Sequence, residues 1–225
     1  MDTLLQLWQS IAGLAHKNTQ AMDMAQLLAL AAALGWASGL RLYLAVFITG
    51  MAGWLGWLPL PAGLSILQHP ALLFGSGFML FIEFFADKIP GLDSVWDLVH
   101  SVIRVPAGAA LAAGVFGADS ATMGMMAGLL GGSLAATSYA TKATTRAAIN
   151  TSPEPFSNIA MSLVEDGAVV GMMWLATNYP VAFGIALFVV LVLSIWLLIA
   201  LIKFLKSLIR RIKTWFGGEV MAPSG

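Results

Sequence analysis

Residues 81–104 read FIEFFADKIPGLDSVWDLVHSVIR. Glu83, Asp87, Lys88, Asp93, Asp97, His100 and Arg104 all fall in this stretch, with long apolar runs on both sides. The chain of 225 residues is 59% hydrophobic and only 10% charged, against roughly a quarter charged for a soluble domain. Its mean hydropathy is +0.86. This composition predicts a polytopic helical membrane protein. In hydrocarbon an ionisable side chain costs at least ~2.5–3.5 kcal/mol, so such groups turn toward protein or a watery cavity. Ile89-Pro90-Gly91 punctuates the stretch as a helix stop and turn. Beyond it Asp93, Trp96, Asp97, His100 and Arg104 recur at offsets of three and four, which places them on one helical face.

A second charged stretch runs from Tyr139 to Trp174 and carries Lys142, Arg146, Glu154, Glu165 and Asp166. Within it Ser152-Pro153-Glu154-Pro155 is incompatible with helix interior, because two prolines remove donors and fix φ. Ser152, Glu154 and Asn158 are therefore predicted to belong to a loop lining a cavity.

The apolar segments set the remaining organisation. Residues 1–20 hold Leu4, Leu7, Trp8, Ile11 and Leu14 at helical spacing, which predicts an amphipathic interfacial helix. With Asp2 and no basic n-region, they do not read as a cleavable signal peptide. Residues 24–58 are too long for one straight span and too short for a comfortable hairpin at ~20 residues per span. Gly35, Ala37, Ser38 and Gly39, just before Arg41, mark a kink or break. Further spans are predicted at 64–86 and 157–177, with a Gly/Ala/Ser-rich buried helix at 123–139. Ala107–Gly117 is too short to cross alone, and reads as a continuation of the helix from Leu92 past Pro106. Residues 181–202 are the cleanest span, free of charge. The sequence thus predicts an all-α protein with about six membrane helices and broken or re-entrant segments near 83–104 and 141–160. Residues 21–202 form the transmembrane domain, with halves at 25–118 and 121–180 before the final span. The tail, 203–225, holds Lys203, Lys206, Arg210, Arg211 and Lys213, which predicts a cytoplasmic carboxyl terminus.

The halves share an order of features. GWASGLRLY (35–43) is echoed by GGSLAATSY (131–139), which precedes Lys142, and each half then carries acids followed by Trp. This suggests an internal repeat of the kind whose broken helices meet near mid-membrane.

SGLRLYLAVF (38–47), IEFFADKIPGLDSVWD (82–97) and TKATTRAAINTSPEPFSNIAMSLVED (141–166) together resemble the bacterial membrane proteins grouped as domain of unknown function 4126. The resemblance covers about residues 25–180. It implies an integral protein of the bacterial inner membrane and assigns no activity or substrate.

Zero net charge gives no reason to expect a nucleic-acid partner. Without cysteine there is no disulfide framework and no thiolate chemistry. No Walker loop, nucleophile elbow, His-Glu-x-x-His or dinucleotide fingerprint is present, and no cofactor or metal is expected. The main functional reading is a small transporter or channel-like protein moving a solute, ion or proton. Its candidate site is Glu83, Asp87, Asp93, Asp97, Glu165 and Asp166, with Arg41, Lys88, His100, Arg104, Lys142 and Arg146 as charge partners. One alternative is a non-catalytic scaffold or subunit, packed against another membrane protein or a second copy of itself. The other is a metal-dependent enzyme on a lipid diphosphate, since Asp93-x-x-x-Asp97 and Glu83-x-x-x-Asp87 pair acids on one face. The fuller motifs of such enzymes are absent.

Overall fold

In a computed structural model, which describes residues 22–89, 91–117, 120–151 and 155–217, Asp23 opens the first helix with a capping box. Its carboxylate accepts from the Gln26 amide at 2.7 Å, and the Gln26 side chain accepts from the Asp23 amide at 3.0 Å. This helix, α1 (Met24–Trp54), breaks at Arg41, whose backbone leaves helical geometry at φ −144° and ψ 75°. The first arm runs beside the helix Ala121–Ile149, with Gly35 against Gly131 and Gly39 against Ala135. The second arm runs back along the helix Pro70–Ala86, with Phe47 against Gly77 and Gly50 against Leu73. Asp23 and Gln26 at one end and Ala52 and Trp57 at the other line the same cavity. A straight helix of this length would hold its ends roughly 45 Å apart. The helix therefore doubles back, with Arg41 at its tip. The break expected in the small-residue cluster is present, and it turns the chain round.

A short 3-10 helix, Ala62–Gln68, meets α2 (Pro70–Ala86) at a bend of 68°. Residues 64–86, expected as one span, are thus broken at His69. His69 caps α2 with its side chain, and Pro70 takes the first helical position, where its missing N–H costs nothing. The turn after α2 ends at Gly91, whose φ of 86° suits a residue without Cβ, and α3 (Leu92–Phe116) follows. This helix continues past Pro106, which lies in its interior. It leads to α4 (Ala121–Ile149), capped by Ser120, then α5 (Pro155–Asn178) and α6 (Pro180–Gly217). Every described element is helical.

Both expected stretches of irregular backbone contain an interruption of helix. The segment 83–104 is interrupted between Ala86 and Leu92. In the segment 141–160, α4 continues to Ile149 and the next helix starts at Pro155, so the interruption comes only after residue 149. The polar residues there are compatible with a helix because their side chains point into protein. The basic tail likewise continues α6 as helix to Gly217. Residues 1–20, Ser152, Glu154 and the last eight residues lie outside the described ones, and so do the readings made for them.

Among the described residues, four helices are long and apolar enough by length and composition to cross a membrane: α1, although it doubles back, and α3, α5 and α6, with the bent pair before α3 as a fifth. The expected figure of about six is not reached on that measure, since α4 is long enough but built from Gly, Ala, Ser and Thr. Its role is central packing. A Cβ on Gly35 would stand 2.5 Å from the Gly131 Cα, and one on Gly131 would stand 2.3 Å from the Ala112 Cβ. Small residues let α1, α3 and α4 approach backbone to backbone, where dispersion rather than water exclusion drives association. The apolar core built around α1 includes Leu30, Leu34, Trp36, Ala112, Val115, Val169 and Phe183.

Candidate functional site

The chain break at Arg41 strips backbone groups of their helical partners, and these must be satisfied inside the bundle. Lys142 Nζ donates to the freed Leu40 carbonyl at 3.1 Å, and the Ser138 hydroxyl donates to the Trp36 carbonyl at 2.7 Å. The Arg41 side chain is fully buried. Its guanidinium pairs with Asp87, lies 3.4 Å from Glu165 and 3.0 Å from Asp166, and donates to the Ser162 hydroxyl at 2.6 Å.

From this tip one network reaches across five helices. Lys142 Nζ lies 3.3 Å from Asp87, 3.2 Å from Asp97 and 3.4 Å from Glu165. Arg104 bridges Glu83 at 2.5 Å and Asp97 at 2.6 Å. Arg146 meets Glu165 at 3.2 Å and Asp93 at 3.8 Å, and donates to the Asp87 carbonyl at 2.9 Å. Asn150 donates to both oxygens of Asp93 at 3.0 Å, and Asn158 donates to the Asn150 side-chain oxygen at 2.8 Å. Helix polarity favours part of this layout. Asp93 sits in the first turn of α3 and accepts from the Gly91 amide at 2.8 Å, while Arg146 sits in the last turn of α4.

All six acids expected at the site are in this network, each with a basic nitrogen within 4 Å. Four of the expected partners, Arg41, Arg104, Lys142 and Arg146, supply those nitrogens. Two do not. Lys88 donates to the Phe84 carbonyl at 2.8 Å and rests over the Phe84 ring. His100 places Nδ1 at 2.8 Å from the Trp96 carbonyl, stacks on the Trp96 ring and meets Tyr43 edge-on. Asn158, expected on a cavity wall, is buried in the network beside Arg146. Ser162 and Ser138 were missed by sequence reading. Asn158, Ser162 and Glu165 do fall at offsets of four and three, a spacing that marks one face.

Six carboxylates face four bases, which leaves two acids in excess. The acid pairs considered for a metal are engaged by other groups: Asp93 by Arg146 and the Asn150 amide, Asp97 by Arg104 and Lys142, Glu83 by Arg104, and Asp87 by Arg41 and Lys142. Among the described residues, no three acids or histidines are arranged to hold a metal ion. Two cavities approach the network. The larger, about 730 Å³, lies between the ends of α1 and the last turns of α5. The smaller, about 380 Å³, lies between α1, α2 and α5 with Asp166 among its lining residues. Val170, one turn from Asp166, borders both.

No curated protein and no solved structure matches the chain. Residues 28–200 match the family model described as Domain of unknown function (DUF4126), and the chain belongs to that family.

Proposed function

We propose that the chain moves a proton or small cation through this charged network, and that the arrangement described is a closed state. The observation that carries the reading is the surplus of two carboxylates in a buried cluster gathered at a broken helix. Excess negative charge in a buried cluster is costly, so such a cluster recruits protons or a cation. Broken helices with freed carbonyls are the usual setting for intramembrane ion sites. The larger cavity is then an entrance, and Val170 the constriction between it and Asp166. The doubled-back α1 is read as a re-entrant hairpin, and the packing of 35–43 beside 131–139 as contact between two related halves. The basic stretch on α6 sets the charged end of the bundle toward the cytoplasm of a bacterial inner membrane.

The test is flux into liposomes carrying the purified chain, followed with a pH-sensitive dye and with monovalent cation gradients. Flux in the wild type is expected, and its loss in Glu83→Gln, Asp87→Asn, Glu165→Gln and Asp166→Asn proteins that still elute as folded. Wild-type rates in all four would sink the reading.

A second reading is favoured by one observation, that each acid has a basic partner. The network would then be architecture that locks five helices together in a scaffold or subunit. A folded wild-type chain with no flux of any ion tested supports it.

A further inference from the structure

The smaller cavity is an open groove between α1, α2 and α5. Its walls are Leu44, Gly77, Leu80, Phe81, Phe84 and Val170, and its one ionisable lining residue is Asp166. Phe74, Phe78, Phe81 and Phe85 continue the exposed face of α2 beside it, an aromatic surface suited to hydrocarbon and not to water. Asp166 retains 25% exposure there, while Glu165 beside it is buried. Among the described residues its one basic partner within 4 Å is Arg41, which Asp87 and Glu165 already share. The wall also shows what it accepts. Phe84 carries the Lys88 ammonium 2.9 Å from its ring centroid. An ammonium on an aromatic face of this wall is thus already part of this structure.

We infer that this groove is a binding site for a lipophilic amine, its ammonium on Asp166 and its hydrocarbon along Leu80, Phe81 and Val170. Charge complementarity selects a cation, since the network behind Asp166 holds more acids than bases. Depth selects a free amine over a phospholipid. Asp166 lies near the middle of α5 (Pro155–Asn178), roughly 16–18 Å along the axis from either end, far from a head group anchored at the end of the helix. A volume of about 380 Å³ fits one alkyl chain, not a two-chain lipid. The site stands whether or not the protein moves ions.

The experiment is saturable binding of radiolabelled decylamine to the full chain in nanodiscs, measured above empty nanodiscs, with decanol as the uncharged comparison. Decylamine is expected to bind and decanol to bind far less. Asp166→Asn is expected to weaken decylamine at least about tenfold, the loss of one charge-assisted contact. Lys88→Met removes the resident ammonium and is expected to tighten it. Leu80→Trp fills the groove without touching the charged network, and is expected to abolish binding even if Asp166→Asn unfolds. Equal binding of decanol and decylamine, or decylamine binding unchanged in both Asp166→Asn and Leu80→Trp, overturns the site.

Discussion

Arg41, at the break in α1, and Asp87, which caps the carboxyl end of α2, form an ion pair in which neither side chain is exposed. A carboxylate at a helix carboxyl terminus opposes the helix dipole, so Asp87 depends on the bases around it. Arg41, Lys142 and Arg146 all reach its carboxylate. The pair ties the tip of α1 to the end of α2, and through them the rest of the network.

Removing that shared acid takes from Arg41, Lys142 and Arg146 a carboxylate that all three reach. Asp87→Asn is expected to cost about 3–5 kcal/mol, the usual penalty for breaking a buried pair from one side. Unfolding in mild detergent, followed by circular dichroism against denaturant, measures it. A loss below about 1 kcal/mol would indicate that water reaches the cluster, since exposed pairs are worth that little.

Glu83 and Arg104 are both fully buried and bridge α2 to α3. Glu83→Gln and Arg104→Met are each expected to destabilise strongly, but the double variant less than their sum. The predicted coupling is about 2 kcal/mol or more, within the range for residues of one buried network. Simple additivity would mean the two side chains do not act as a pair.

Close helix approach makes a separate prediction about small residues. Gly35→Ala puts a Cβ 2.5 Å from the Gly131 backbone and is expected to cost about 1–3 kcal/mol through overpacking. Gly167→Ala and Gly171→Ala meet nothing within 4 Å and should be neutral or slightly stabilising, since alanine is the better helix former. Thermal melts of the three proteins, run side by side, decide it. Similar melting points for all three would contradict the packing of α1 on α4.

The doubled-back α1 is open to direct test because the chain contains no cysteine. Single cysteines at Ala25 and Leu55, both exposed, should react with an impermeant maleimide from the same side of the membrane. A cysteine near the charged end, at Ser207 on α6, should react from the other side. Labelling of positions 25 and 55 from opposite faces would make α1 a straight span.

The class of the protein, its helical content and most of its charged residues of interest were legible in the sequence. Hydropathy reports local transfer energy, and intramembrane charge is expensive enough that Glu83, Asp87, Asp97, Arg104, Lys142 and Glu165 stand out one by one. Spacing also showed that Asp93, Asp97, His100 and Arg104 share a face, and all four are buried. Partner choice was beyond it. Lys88 and His100 carry the same formal eligibility as Arg41 and Arg146, yet one rests on Phe84 and the other on Trp96, because their directions depend on how α2 and α3 cross. The small residues before Arg41 announced a break, but only the packing of one arm on α4 and the other on α2 determined that the chain turns back there. Local chemistry determines what each residue can pay to be buried. Which carboxylate meets which base, and the excess of two acids they leave at one place, follow from long-range contacts such as Arg41 with Ser162, 121 residues apart, that no window of sequence contains.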